Sequence, residues 1–216
     1  PGERLMALKQ PDWLYPFFRG MLTMLFRIFH RWEVHGAENI PLTGGCLIAS
    51  NHASFMDPPA VGCASSKRMV RFMARDTLFK KGVGEWLMKG LHAIPISRDR
   101  GDVGALKRCI QFLRKGDCVA IFPEGTRSRD GSLGEAKAGI GFLIMSAGVP
   151  VVPVYIAGTF SAFPRGASWP RPKKVRVYIG QPIPFSEFEK CGAGRDSYGR
   201  VANLVMDHIK ALHAAA

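Results

Sequence analysis

Acidic residues are scarce in this sequence. It has 17 Asp and Glu against 30 Lys and Arg, a formal net charge of +13. Such a surplus implies an anionic partner: nucleic acid, a phosphorylated metabolite or an anionic membrane surface. Cysteine is also scarce and poorly placed for cross-linking. Cys46, Cys63, Cys109, Cys118 and Cys191 are odd in number and scattered, with no C-x-x-C. That argues against a disulfide framework or a zinc site and for reduced thiols in an intracellular compartment, with core packing as the role of the three that sit in apolar runs. No Cys/His ligand spacing is present, so no metal is expected. The sequence has no G-x-S-x-G, which removes the serine hydrolases built on α/β folds. It has neither a P-loop nor G-x-G-x-x-G, which removes the commonest nucleotide sites. No internal repeat or low-complexity segment interrupts it.

What is present reads as a folded chain. Hydrophobic residues make up 47% of 216 residues, including 14 Phe and 4 Trp. That is enough for one domain with a substantial core. The most hydrophobic stretch, Trp13 to Trp32, is long enough to span a bilayer but carries Arg19, Arg27 and Arg31. With Thr23 these recur every four residues, a single polar stripe on a helix. Phe18, Met21, Leu22, Leu25, Phe26, Ile28 and Phe29 cover the rest, and no acid lies between Trp13 and Arg31. This pattern predicts a helix lying in a membrane interface with its arginines toward headgroups. Two parts are expected: residues 1–33 as an N-terminal amphipathic membrane segment, and 34–216 as an α/β domain.

Beyond that segment, apolar β-type runs alternate with helical ones. Strands are expected at Cys46–Ser50, Met69–Ala74, Ile94–Ser97, Cys118–Phe122, Val151–Ala157 and Val175–Ile179. Helices are expected at Pro58–Ser65, Thr77–Leu91, Val103–Lys115, Ala136–Ala147 and Arg195–His213. The alternation predicts an α/β fold, a largely parallel mixed sheet flanked by helices.

Three loops carry chemistry. In "SNHASFMDPP", His52 and Asp57 are five residues apart, a spacing that neither a helix nor a strand brings together. If they meet, the backbone turns between them. The segment reads as a strand end, a turn and a helix start, with Asp57 as N-cap and Pro58 at the first helical position. In "IFPEGTRSRDG", Pro123 ends a strand, Gly125 permits close backbone approach, and Arg127 and Arg129 offer guanidinium forks suited to phosphate. Glu124 is a carboxylate able to bind hydroxyls or orient an arginine. In "AIPISRDRGD", Arg98 and Arg100 follow a short strand. Loops at the carboxyl ends of parallel strands share one edge, the edge where α/β folds bind ligands. Lys137 is a further cation at a helix start. Pro153 within "VPVVPVYIAG" suggests an edge strand or bulge, with a core strand as the alternative.

The ordered set NHASFMDP, PISRDRGD, FPEGTRS and VPVVPVYI resembles the glycerophosphate acyltransferase family, in particular its 1-acyl-sn-glycerol-3-phosphate acyltransferases. The likeness spans residues 51–156. The first and third motifs fit without gaps. In the second, Gly90 lies farther from the arginine than the family pattern has it, and Ser97 stands where an acid is usual. The resemblance implies acyl transfer from acyl-CoA or acyl carrier protein to the sn-2 hydroxyl of a lysophospholipid acceptor, yielding phosphatidic acid without a further cofactor. It implies His52 as general base and Asp57 as the group that orients it. It implies Arg98, Arg127 and Arg129 at the acceptor's phosphate, Glu124 and Gly125 at its glycerol, and the fourth motif as an apolar wall or support near the acyl chain. It places the protein peripherally on the cytoplasmic face of a membrane, with an anionic lipid surface rather than nucleic acid as partner. The competing readings are an acyltransferase for another lysolipid and a basic nucleic-acid- or membrane-binding protein.

Overall fold

The structure is a computed structural model and describes residues 13–79, 82–97 and 103–216. In chain order the strands are β1 (Glu33–His35), β2 (Cys46–Ser50), β3 (Val70–Arg75), β4 (Ile94–Ile96), β5 (Cys118–Ile121), β6 (Val151–Ala157) and β7 (Arg176–Ile179). The helices are α1 (Leu14–His30), α2 (Asp57–Ala64), α3 (Val83–Gly90), α4 (Val103–Arg114), α5 (Ala138–Ala147), α6 (Thr159–Ala162), α7 (Phe185–Glu189) and α8 (Arg195–Ala214). One sheet forms in the order β1-β7-β6-β2-β5-β3-β4. Every pairing is parallel except β6 with β7.

The central strands are apolar throughout because both of their faces are covered. In β2, Leu47 and Ala49 enter one core with Leu113, Leu143, Ile144, Val205 and Ile209, beneath α4, α5 and α8. Cys46 and Ile48 point the other way, into a second core with Phe26, Ala60 and Val61 from α1 and α2. All five cysteines are free, and four of them, Cys46, Cys63, Cys109 and Cys118, are buried. Helix α8 buries Val201, Ala202, Val205, Met206 and Ile209, one face at helical spacing. It can lie close to α5 because Gly141 has no side chain: a Cβ there would sit 2.0 Å from the Tyr198 carbonyl oxygen.

Three expectations are corrected, and the open reading of Pro153 is resolved. Asp57 is the first residue of α2 rather than its cap, which is Met56. Pro58 and Pro59 lack N–H groups, so the first turn has fewer donors for a cap to satisfy, and the carboxylate is released for other partners. The stretch predicted as one helix over Thr77–Leu91 is a 3-10 turn, Asp76–Phe79, followed by α3. Gly82, with φ +105°, has a dihedral that no helix continues through. Pro153 stands in a central strand. Past Val154 the facing chain carries one extra residue before Val151 pairs with Ile183, so the missing N–H of Pro153 falls at a break in the register.

The third correction concerns α1, whose inward face was not the one expected. Leu14, Tyr15 and Phe26 are buried, and the Tyr15 hydroxyl accepts the Val70 N–H at 3.0 Å. Arg19 lies on that same face and is half-buried, while Arg31 has left the helix at φ 44°. The outward face carries Phe17, Met24, Ile28 and Phe29, each more than half exposed. No helix among the described residues is long and apolar enough to cross a membrane. The boundary drawn after residue 33 falls inside the sheet, since Glu33 already pairs with Arg176.

Candidate active site

β2 and β5 are parallel neighbours with Ala49 opposite Ile121, so the loops that follow them leave one edge of the sheet side by side. The first holds His52 and the second holds residues 122–137. Asn51 fixes where the first loop starts. Its amide oxygen accepts the Ile156 N–H at 2.7 Å, and its amide nitrogen donates to the Ile156 carbonyl at 3.1 Å, tying β2 to β6.

The chain then turns, and His52 Nδ1 comes within 2.9 Å of Asp57 Oδ2. Asp57 is fully buried. The same Oδ2 accepts the N–H groups of Ala53 at 2.7 Å and Ser54 at 2.6 Å, so the carboxylate organises the turn as well as the ring. A carboxylate already accepting from two N–H groups requires Nδ1 to carry the hydrogen. Nε2 is then the lone-pair nitrogen, and it has no hydrogen-bond partner among the described residues. The ring stacks on Phe122 at 4.1 Å between centroids, which fixes its plane.

The second loop grips the main chain of His52 from both sides. Glu124 Oε1 accepts the His52 N–H at 2.9 Å. The Ser128 N–H donates to the His52 carbonyl at 2.7 Å. Glu124 is 6% exposed and lies behind His52. Burial pushes its carboxyl above the usual Glu range, and hydrogen bonds from the N–H groups of His52 and Gly134 partly offset this. Gly125 turns at φ +67°, and a Cβ there would meet Lys137 Cδ at 2.9 Å, so the lysine stem packs directly over the glycine. Asp130 accepts from Ser128 Oγ and from the hydroxyl and N–H of Ser132, and these bonds hold its pKa down at about 2.

A cavity of 570 Å³ opens beside His52, lined by residues of α1, α2, β3 and α3. His52, Phe55 and Arg127 border it, and the Arg127 guanidinium lies over the Phe55 ring at 3.5 Å. Most of the wall is apolar: Leu22, Gly62, Phe72, Leu78, Met88 and Leu91 among others. Arg19 joins the wall from α1, a position the stripe pattern assigned to the membrane side. Of the residues singled out from sequence, His52, Asp57, Glu124, Gly125 and Arg127 are therefore brought together. Arg129 is exposed and does not line the cavity. Arg98 and Arg100 lie outside the described residues. The fourth motif is β6, a core strand with no residue on the cavity. Sequence reasoning passed over Asn51 and gave Arg19 a place away from the cavity. Asn51 had a signal, a buried-strand end followed by a polar side chain beside His52; Arg19 was visible but assigned to the wrong side.

The chain matches the family model described as Acyltransferase over residues 31–157. A chloroplastic 1-acyl-sn-glycerol-3-phosphate acyltransferase of Brassica napus is 35% identical over 182 residues, 82% of this chain and 52% of that one. The chain spans about half the length of the plant relatives it matches. The 1-acyl-sn-glycerol-3-phosphate acyltransferase of Bacillus subtilis is 29% identical over 177 residues, 81% of this chain and 85% of that one. In three dimensions the chain is similar to the crystal structure of the 1-acyl-sn-glycerophosphate (LPA) acyltransferase PlsC from Thermotoga maritima. The TM-score is 0.74 at 26% identity, covering 98% of this chain and 86% of that one.

Proposed function

The chain belongs to the acyltransferase family, and from that membership we propose that it transfers an acyl chain from an acyl thioester to the free sn-2 hydroxyl of 1-acyl-glycerol-3-phosphate, giving phosphatidic acid. The observation that carries this reading is the His52–Asp57 pair at the border of an apolar cavity that also holds Arg127. The acceptor hydroxyl gives its proton to His52 Nε2 as its oxygen attacks the thioester carbonyl. Asp57 keeps the ring in the tautomer that has this lone pair and stabilises the imidazolium that forms. The tetrahedral intermediate then collapses, and the imidazolium returns a proton to the departing thiolate of coenzyme A or acyl carrier protein. A thioester carries a good leaving group, so a positioned base and a fixed acceptor are the main requirements. General base catalysis of this kind contributes about 10²–10⁴-fold.

Arg127 holds the acceptor's phosphate. Phe55 beneath it restricts the guanidinium to one plane and sets the direction of its fork. Arg129 of the same loop and Arg98, by its motif, are assigned to the same anion. The apolar wall takes an acyl chain, with Arg19 as a further cation facing the bound lipid. Gly125 gives the glycerol room at the loop, whereas Glu124 acts on His52 from behind. The outward apolar face of α1 rests in the membrane interface, so the lipid acceptor reaches the cavity without crossing water.

Incubating the purified protein with lysophosphatidic acid and an acyl thioester, with mass-spectrometric detection, tests the reading. Phosphatidic acid is the expected product, and the dephosphorylated acceptor is expected to be used far less well. Failure to form phosphatidic acid with any acyl thioester, or equal use of both acceptors, contradicts it.

A further inference from the structure

The loop between α6 and β7 has no part in the chemistry above, yet its composition and anchoring are unusual. From residue 136 to residue 186 the chain has no Asp or Glu, and this loop carries Arg165, Arg171, Lys173 and Lys174. Lys174 is paired with Glu33 at 2.6 Å. Arg165, Arg171 and Lys173 are exposed and pair with no acid among the described residues. Trp169, at the centre, is 80% exposed, more than any other large hydrophobic side chain described.

The loop is nonetheless well held. Pro164, Pro170 and Pro172 restrict its backbone. The Arg171 N–H donates to the Ala162 carbonyl at 2.7 Å, and the Ala167 N–H to Pro164 at 3.2 Å. Its two ends are tied to the two features that matter for lipid access. Ser54 Oγ donates to the Phe163 carbonyl at 2.7 Å, and the Phe163 ring lies 6.3 Å from Phe55 at the cavity mouth. At the other end the Val175 N–H donates to the His30 carbonyl at 2.8 Å, and His30 Nδ1 lies 3.1 Å from the Lys173 carbonyl, against the last turn of α1. That turn presents Ile28 and Phe29 to the outside.

An exposed tryptophan flanked by unpaired cations on a restrained loop matches the chemistry of a bilayer interface. Indole settles at headgroup depth, and Lys and Arg engage anionic phosphates. We propose that residues 163–174 form a second membrane contact, in which Trp169 seats in the interface and Arg165, Arg171 and Lys173 engage anionic headgroups. The loop and α1 together then set the height of the cavity mouth relative to the lipid. This rests on the reading that the substrate is a membrane lipid.

The test uses the full chain with vesicles of phosphatidylcholine alone and of phosphatidylcholine mixed equally with phosphatidylglycerol. Trp169→Ala is expected to lower co-sedimentation about fivefold on both. Arg171→Glu with Lys173→Glu is expected to lower it about tenfold or more on the anionic vesicles only, an effect that high salt erases. As a direct probe, brominated lipid should quench wild-type tryptophan emission more than that of Trp169→Phe. Turnover of a short-chain soluble acceptor is measured alongside and should not change. Wild-type sedimentation and quenching by all variants, with turnover intact, overturns the loop contact and leaves the enzyme reading standing. Loss of turnover toward every lysolipid in the wild-type protein overturns the enzyme reading instead. Binding of a single-stranded oligonucleotide that the same substitutions abolish, with vesicle binding kept, assigns the loop to nucleic acid and also overturns the proposal.

Discussion

His52 and Asp57 could be picked out from the sequence because a five-residue spacing across a proline-closed turn leaves few ways for them to be used. Glu124 was visible as a carboxylate, but its contact with His52 was not. Its partner is the main-chain N–H of His52, 72 residues earlier, and a backbone N–H leaves no mark in the sequence. On our reading Glu124 is a positioning residue, and two substitutions separate that role from direct contact with the acceptor. Glu124→Gln keeps an oxygen for the His52 N–H and removes the charge. Glu124→Ala leaves that N–H without an acceptor, a loss of about 1–3 kcal/mol. The alanine variant should lose kcat with little change in KM for the acceptor, and the glutamine variant should recover much of it. A rise in KM with kcat unchanged would place Glu124 on the acceptor instead. A carboxyl raised by burial binds its proton more tightly in the folded chain. Its contribution is therefore fully present below the ordinary Glu value of about 4.3 and is lost as pH rises through the folded value. Melting curves at acid and neutral pH should show Glu124→Gln gaining on the wild type as pH rises. A gain confined to acid pH would contradict this.

The long elements were easy to read and the short or interrupted ones were not. β2 and β6 are buried on both faces, so their apolar runs marked their limits. β1 is three residues, Glu-Val-His, too short and too polar to show a period. The break before α3 depends on the dihedral of Gly82, and a glycine does not declare its dihedral in sequence. Helix α2 illustrates how an element shapes the cavity. It turns Gly62 toward the space, where an added Cβ would stand 3.6 Å from both the Phe72 ring and the Tyr15 hydroxyl, ordinary contact distances. Gly62→Ala should therefore be tolerated. Gly62→Leu should project into the cavity and shift donor preference toward shorter acyl chains, measured by competition between thioesters of different length. An unchanged chain-length profile in a folded Gly62→Leu variant would place the acyl chain elsewhere.

For the whole molecule, the side of α1 that faces the domain was not legible. The helix has an apolar face and an arginine stripe, and either arrangement satisfies the pattern in isolation. The docking of Tyr15 on Val70 and of Phe26 against Trp32 decides it, turning Arg19 inward and Phe17 and Ile28 outward. Substitutions on the two faces should separate accordingly. Phe17→Ser with Ile28→Ser should weaken sedimentation with neutral and anionic vesicles while leaving the melting temperature near wild type. Phe26→Ser should instead lower stability, by about 3–5 kcal/mol if it behaves as a buried Phe→Ala change does. Equal vesicle binding by the outward-face variant would move the membrane contact off α1. Whether the paired imidazole at the edge of this cavity performs the proton transfer can be measured directly. His52→Ala, verified as folded by its melting curve, is given lysophosphatidic acid and an acyl thioester. Phosphatidic acid formation is expected to fall by about 10²-fold or more at unchanged stability, and near-normal turnover by the folded variant would contradict the assignment of His52 as the base.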